Sequence, residues 1–160
     1  MFNKRAFVTV LLAGGMLMLI TSVAGSFQRN NRFGIRQLEG SWKVNVSPEF
    51  PIPYEALVTY TADETLIETK YYLSEFVSMG HGEWTFAGLG KFNVTFIRLI
   101  RDSTGTVYGL EKVRERITIT EPGSYTSVRE VDTENFGFPE QRRAYTETTT
   151  ATRIRVEPLE

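Results

Sequence analysis

The stretch from Lys91 to Thr120 constrains the fold more than any other part of the sequence. Two runs rich in β-branched and aromatic residues flank the turn sequence Asp102-Ser103-Thr104-Gly105. This pattern predicts a β-hairpin with arms of roughly twelve residues, about twice the usual strand length. Arms of this length suit a barrel or a curled sheet better than a small flat sheet.

Alternation along each arm predicts which side chains point inward. The inward face of the first arm is its even face, which is the more apolar one: Phe92, Val94, Phe96, Arg98 and Ile100. In the second arm the even face carries Lys112, Arg114 and Arg116, and cations are costly to bury unpaired. The odd face is therefore predicted to point inward: Val107, Gly109, Glu111, Val113, Glu115, Ile117 and Ile119.

The turn sets the register between the two arms. A two-residue loop at Ser103-Thr104 would place Arg98 opposite Gly109 and Phe96 opposite Glu111, so that the two inward faces meet. Glu111 then lies diagonally from Arg98, within reach on the same face, and we predict an ion pair between them. The alternative is a three-residue loop with a bulge at Gly105, which shifts the register by one residue.

The rest of the chain also reads as a succession of short strands. The predicted strands outside the hairpin are 40–47, 54–62, 65–76 (where a helix is the alternative), 83–87, 125–132 and 141–156. The proline-rich segment Pro48–Pro53 is predicted to be a loop between strands, since proline has no backbone N–H to donate to a neighbouring strand. The sequence thus predicts an all-β protein, an antiparallel up-and-down β-barrel of about eight strands, which is wide enough for one small ligand.

The N-terminal residues have the pattern of a targeting segment. Lys4 and Arg5 precede an apolar run, and Ser22-Val23-Ala24 supplies the small residues that a signal peptidase reads. We predict a signal peptide over residues 1–24, a tether with a short helical turn over 25–38, and the barrel domain over 39–160. The predicted location is secreted, periplasmic or otherwise extracytoplasmic, with membrane attachment through residues 6–25 as the alternative.

Composition excludes several kinds of chemistry. The chain has no cysteine, which rules out disulfides, thiolate metal sites and a cysteine nucleophile. Its formal net charge of −1 gives no broad basic field, so nucleic acid is not a predicted partner. The single histidine, His81, lies between glycines without the partners that a metal site or a general base needs. We predict no metal, no cofactor and no catalytic residue.

The triplet Gly40-Ser41-Trp42, placed at the start of the first predicted strand, resembles the G-x-W signature of the lipocalin and calycin group. The resemblance implies that Trp42 closes one end of the barrel and that an arginine late in the chain, Arg153 or Arg155, packs across it. A guanidinium over an indole ring is favourable by about 0.5–2 kcal/mol. The chain also resembles small exported barrel proteins of bacteria.

These observations lead to a functional hypothesis. We expect the barrel to bind a small, mostly apolar molecule, with polar inner side chains fixing its polar end. The predicted ligand-binding residues are Trp42, Tyr60, Phe86, Phe92, Phe96, Arg98 and Glu111. One alternative is a cyclase or isomerase on the same scaffold, acting by orientation of an apolar substrate. The other is a filled barrel with a structural or interaction role.

Overall fold

The structure, a computed structural model, describes residues 36–48, 52–71, 76–138 and 142–158, together with residues 34 and 140. Nine strands occur in these residues: β1 (Gly40–Pro48), β2 (Tyr54–Tyr60), β3 (Thr65–Tyr71), β4 (Phe76–Val77), β5 (Gly80–Gly88), β6 (Lys91–Arg101), β7 (Val107–Glu121), β8 (Ser124–Asn135) and β9 (Arg143–Arg153). Nowhere in the described ranges is there a helix long and apolar enough to span a bilayer. The predicted signal or anchor segment, residues 1–24, lies outside the described residues.

The strands form a closed antiparallel barrel. Neighbours in the sheet follow the order β6-β5-β3-β2-β1-β9-β8-β7, and pairing of β6 with β7 closes the ring. The two-residue strand β4, which the sequence did not predict, pairs with the end of β6. The predicted fold class, an all-β up-and-down barrel of about eight strands, is confirmed. The third predicted strand forms as β3 rather than as a helix.

The long hairpin is present, but the preferred loop and register were wrong. The loop has three residues, Ser103 to Gly105, closed by Asp102 N–H donating to the Thr106 carbonyl at 3.0 Å. Gly105 has φ of 85°, a left-handed conformation that glycine adopts at no steric cost. The three-residue alternative was therefore the right one at the turn.

A second irregularity brings the inward-facing side chains of the two arms back to the same side of the sheet. Arg101 pairs with Val107 but Ile100 pairs with Gly109, so Tyr108 is an extra residue in β7. The two one-residue shifts add to two, and a shift of two keeps each side chain on its original face. Both inward faces are consequently as predicted, but Arg98 lies directly opposite Glu111 rather than diagonal to it, and Phe96 faces Val113.

Close approach of β5 and β6 depends on two glycines in β5. A Cβ at Gly82 would lie 2.0 Å from the carbonyl oxygen of Thr95 and 2.5 Å from Cα of Phe96. A Cβ at Gly80 would lie 2.8 Å from the Phe96 ring and 3.2 Å from Cγ of Arg98. The absence of side chains here lets the β6 backbone, Phe96 and Arg98 occupy that space.

Gly82→Ala should lower the free energy of unfolding by at least about 2 kcal/mol, because the new methyl group would clash with backbone atoms that cannot move independently. Urea unfolding measures the loss. The control is Gly137→Ala, where a Cβ would meet only Asn135 Oδ1 at 3.7 Å. Equal effects of the two substitutions would contradict the close-approach argument.

Candidate functional site

Trp42 is fully buried near the start of β1, at one end of the barrel interior that is here called the tryptophan end. The Arg153 guanidinium carbon lies 4.5 Å from the centroid of the Trp42 ring, and Arg153 donates hydrogen bonds to the carbonyls of Gln37 and Glu39. The indole N–H of Trp42 donates to the Leu38 carbonyl at 2.8 Å. The predicted packing of a late arginine across Trp42 is confirmed for Arg153, whereas Arg155 is exposed.

The tryptophan end is filled with aromatic side chains that contact one another. Ring centroids are 4.9 Å apart for Trp42 and Tyr125, and 5.6 Å apart for Trp84 and Phe92. The hydroxyls of Tyr60 and Tyr125 lie 3.3 Å apart. Four predicted ligand-binding residues belong to this end, namely Trp42, Tyr60, Phe92 and the partly buried Phe86. Their contact with a ligand stays a prediction.

The other part of the interior, here called the polar half, contains a buried network of charged side chains. Its centre is Glu68 on β3, whose two carboxylate oxygens accept hydrogen bonds from two different arginines. Arg98 on β6 donates through Nη1 at 3.1 Å, and Arg129 on β8 donates through Nη1 at 2.9 Å. All three side chains are 0% exposed. The ring of Phe96 lies within 5.6 Å of both guanidinium carbons.

The predicted Arg98–Glu111 ion pair is present in this network. Arg98 Nη2 lies 2.9 Å from Glu111 Oε2, and Glu111 is 6% exposed. The Tyr145 hydroxyl donates to the other oxygen of Glu111 at 3.1 Å. Two predicted ligand-binding residues, Arg98 and Glu111, thus come together as predicted, and Phe96 packs beside them.

Two further glutamates complete the network. Glu115 lies 3.1 Å from Arg129 Nε and accepts a hydrogen bond from the Ser127 hydroxyl. Glu147 accepts hydrogen bonds from the Tyr54 hydroxyl at 3.1 and 3.0 Å and lies 4.0 Å from Arg129 Nη1. The network therefore connects side chains of β2, β3, β6, β7, β8 and β9 across the interior.

Burial and pairing shift the pKa values of these groups in opposite directions. Burial tends to raise the pKa of Glu68, but the neighbouring Arg98 and Arg129 outweigh it and hold the pKa below its usual value. At Glu147 burial dominates, and its pKa is raised in spite of Arg129, Arg98, the Tyr54 hydrogen bond and Lys70. Glu147 is thus the less compensated of these two carboxylates.

The network reaches solvent at the end of the barrel opposite Trp42. The inward-facing side chains Lys70, Ile100, Thr133 and Tyr145 are partly exposed there, and we call this set the mouth. The Lys70 ammonium nitrogen lies 4.2 Å from the centroid of the Tyr54 ring. Burial raises the pKa of the Tyr145 hydroxyl, and the nearby carboxylates of Glu111 and Glu147 add to the effect. Tyr145 therefore stays a hydrogen-bond donor to Glu111.

Features outside the barrel interior give less support for a functional site than the buried network does. His81 is exposed on the outer face of β5. Among the described residues, no three His, Asp or Glu side chains converge in the way a metal site requires. One groove of about 300 Å³ runs along β6, β7 and β8, another of about 360 Å³ runs along β5, β6 and the turn between β2 and β3, and both include Asn93 and Thr95. None of the predicted ligand-binding residues lines either groove.

Comparisons with protein-family models, with curated proteins and with solved structures find no match to this chain.

Sequence reasoning missed Glu68, Arg129, Glu147 and Tyr54 as members of the network. Each of them lies at an inward position of a predicted strand, in phase with apolar neighbours such as Leu66, Val131 and Ala151. A charged residue in phase with the buried face of a strand is the sequence signal for Glu68, Arg129 and Glu147, whereas Tyr54 carries no charge and gives no such signal. Which of these side chains meet across the barrel depends on strand stagger, which alternation does not reveal.

Arg129→Met should lower the free energy of unfolding by roughly 3–5 kcal/mol, because it leaves Glu115 buried without its arginine and Glu68 with only one of its two arginines. Adding Glu115→Gln should recover part of the loss, since one uncompensated carboxylate is then removed. Urea unfolding of both variants tests this. The matched control is Arg114→Met on the outer face, where the ion-paired side chain is 51% exposed and the effect should be small. A loss at Arg129 no larger than at Arg114 would contradict the proposed pairing.

Glu147→Gln should change the pH dependence of stability. Because burial raises the pKa of Glu147 above its usual 4.5, the folded state keeps a proton that the unfolded state releases between the two values. The contribution of Glu147 to wild-type stability therefore falls as pH rises through this window, and the stability of Glu147→Gln relative to wild type should rise. Denaturant unfolding from acid to neutral pH measures the difference, with the exposed Glu130→Gln as control. A difference independent of pH would refute the raised pKa.

Proposed function

We propose that this protein is an exported, lipocalin-like barrel that binds one small molecule through the polar half of its interior. The observation that carries the proposal is the Arg98–Glu111 ion pair, buried inside a barrel and joined to the partly exposed Tyr145 at the mouth. The polar group of the ligand would lie against these side chains.

The energetic cost of the network supports a binding role. Replacing buried ion pairs by well-packed apolar side chains is often neutral or stabilising, so a barrel that needs only to fold gains little from them. Ligand sites, in contrast, combine an apolar lining with a few convergent polar groups that fix orientation. The polar half has this composition, because Val46, Ala56, Val113 and Val131 lie among its charged residues.

The proposed ligand is small and mostly apolar with one polar end. Val131 and Ile100 would contact its apolar part near the mouth, and Phe96 would contact the part that lies deepest. The Trp42–Arg153 stack supports the lipocalin-like part of the proposal, since it is the contact that the G-x-W resemblance implies. Export rests on the pattern of residues 1–24 alone, and attachment through residues 6–25 is the alternative form of the same proposal.

Native mass spectrometry of the protein purified from its own source tests the binding role. We expect an added mass that organic extraction removes and that identifies the class of ligand. Thr133→Trp should abolish the added mass, because Thr133 is paired with Glu111 and a large inward side chain there would fill the mouth. Thr126→Trp on the outer face of β8 is the matched control and should retain the ligand.

The opposite result is equally informative. A bare wild-type mass, with no uptake from a panel of apolar amines, alcohols and carboxylates, would overturn the binding proposal and favour a filled barrel with a structural role. Loss of the ligand in both tryptophan variants would contradict the placement of the site at the mouth.

A further inference from the structure

Resting on the proposed function, we infer that the polar group of the ligand is uncharged, that it both donates and accepts hydrogen bonds, as a hydroxyl does, and that it binds at the Arg98–Glu111 pair. A ligand that ends in an ammonium or a carboxylate is discriminated against. The inference follows from the hydrogen-bonding capacity that the network leaves unused and from the opposite charges of the two side chains.

The network leaves both donors and acceptors unused. Six of its buried side-chain atoms make no hydrogen bond with any described residue, and they comprise four guanidinium nitrogens and two carboxylate oxygens: Nε and Nη2 of Arg98, Nε and Nη2 of Arg129, Oε2 of Glu111 and Oε2 of Glu115. Buried polar atoms without a hydrogen bond are costly and therefore uncommon in folded proteins. A polar group that enters the network meets N–H donors and carboxylate acceptors together.

At the Arg98–Glu111 pair an unused donor and an unused acceptor lie side by side. Arg98 Nη2 is 2.9 Å from Glu111 Oε2, yet the two atoms form no hydrogen bond, because the N–H bonds are not directed at the oxygen. Arg98 is held on its other side by donation from Nη1 to Glu68 at 3.1 Å, and Glu111 is held by the Tyr145 hydroxyl. The pair is thus fixed in place, and each member has capacity for a third group.

The Arg98–Glu111 pair is also the one closest to the mouth. Glu111 is 6% exposed and accepts its hydrogen bond from Tyr145, which belongs to the mouth. In the Arg129–Glu115 pair, by contrast, both side chains are 0% exposed. A ligand that enters through the mouth therefore meets Arg98 and Glu111 first.

The opposite charges of the pair disfavour an ion of either sign. An ammonium group only donates, so it can bind Glu111 but then lies beside the Arg98 guanidinium. A carboxylate only accepts, so it can bind Arg98 but then lies beside the Glu111 carboxylate. Either ion brings like charges together in a region of low dielectric constant. A hydroxyl donates to Glu111 and accepts from Arg98 at the same time and adds no charge.

Titration with four ligands that share an unbranched apolar body tests the inference. The ligands are octanol, its isomer methyl heptyl ether, octylamine and octanoate. Calorimetry at neutral pH and constant ionic strength gives each affinity, on protein whose bare mass is verified by native mass spectrometry. We expect octanol to bind at least about tenfold more tightly than either ion, because like charges brought together are strongly unfavourable. The ether accepts but cannot donate, and it should bind about tenfold more weakly than octanol.

A charge-removing variant tests the assignment to the pair. Glu111→Gln keeps the size and an acceptor oxygen but removes the charge that repels octanoate, so octanoate should bind about tenfold more tightly than to wild type. Octanol should keep its affinity within about threefold, because an acceptor oxygen remains. Glu130→Gln, at a side chain that is 49% exposed, removes a charge outside the barrel and should leave all four affinities unchanged. If Glu111→Gln does not fold, the order of the four affinities in wild type decides the question.

The possible outcomes separate the inference from the proposal beneath it. Either ion, or the ether, binding as tightly as octanol would overturn the inference and leave the binding role intact. Octanoate binding no more tightly to folded Glu111→Gln than to wild type would overturn the assignment to Arg98 and Glu111. Binding of none of the four would also overturn the inference. In that case an added mass on the protein from its own source would preserve the binding role, and a bare mass would overturn both.

Discussion

The bridging of Glu68 between two arginines is the interaction on which the polar half depends. Its two oxygens connect β3 to β6 and to β8, strands that do not lie next to one another in the sheet. Arg98 then extends the network to Glu111, and Arg129 extends it to Glu115. Because each carboxylate is buried, every member needs its neighbours, and removal of one charge leaves others unpaired. The network therefore has to form as a unit.

Burial of aromatic side chains at the tryptophan end offsets the desolvation cost of the charged side chains in the polar half. Trp42, Tyr60, Tyr125, Trp84 and Phe92 are all at most 2% exposed, and large aromatic side chains contribute heavily to a hydrophobic core. Their contacts stabilise the same strands whose opposite ends carry the charges. The aromatic core and the charged network are thus separated along the barrel axis.

The alternation of apolar and polar residues predicts correctly which face of each hairpin arm points inward, but it does not predict how the two arms pair. The reason is physical. Burial of Phe92, Phe96 and Arg98 follows from a period of two, which survives any shift by an even number of residues. The three-residue loop at Gly105 and the bulge at Tyr108 each shift β6 against β7 by one residue, so the faces were right although the predicted pairs were not. The two arginine partners of Glu68 lie on β6 and β8, which are not neighbours of β3 in the sheet, and neither turn chemistry nor alternation fixes the distance between such strands.

The Arg98–Glu111 pair was nevertheless predictable, because the two residues belong to one hairpin. They lie on the same face in any register that buries that face. A barrel with a structural role alone has no physical need for this pair, since apolar side chains at both positions would avoid the desolvation cost of two charges. A binding role supplies such a need, because a ligand with a polar end requires fixed partners inside an otherwise apolar lining.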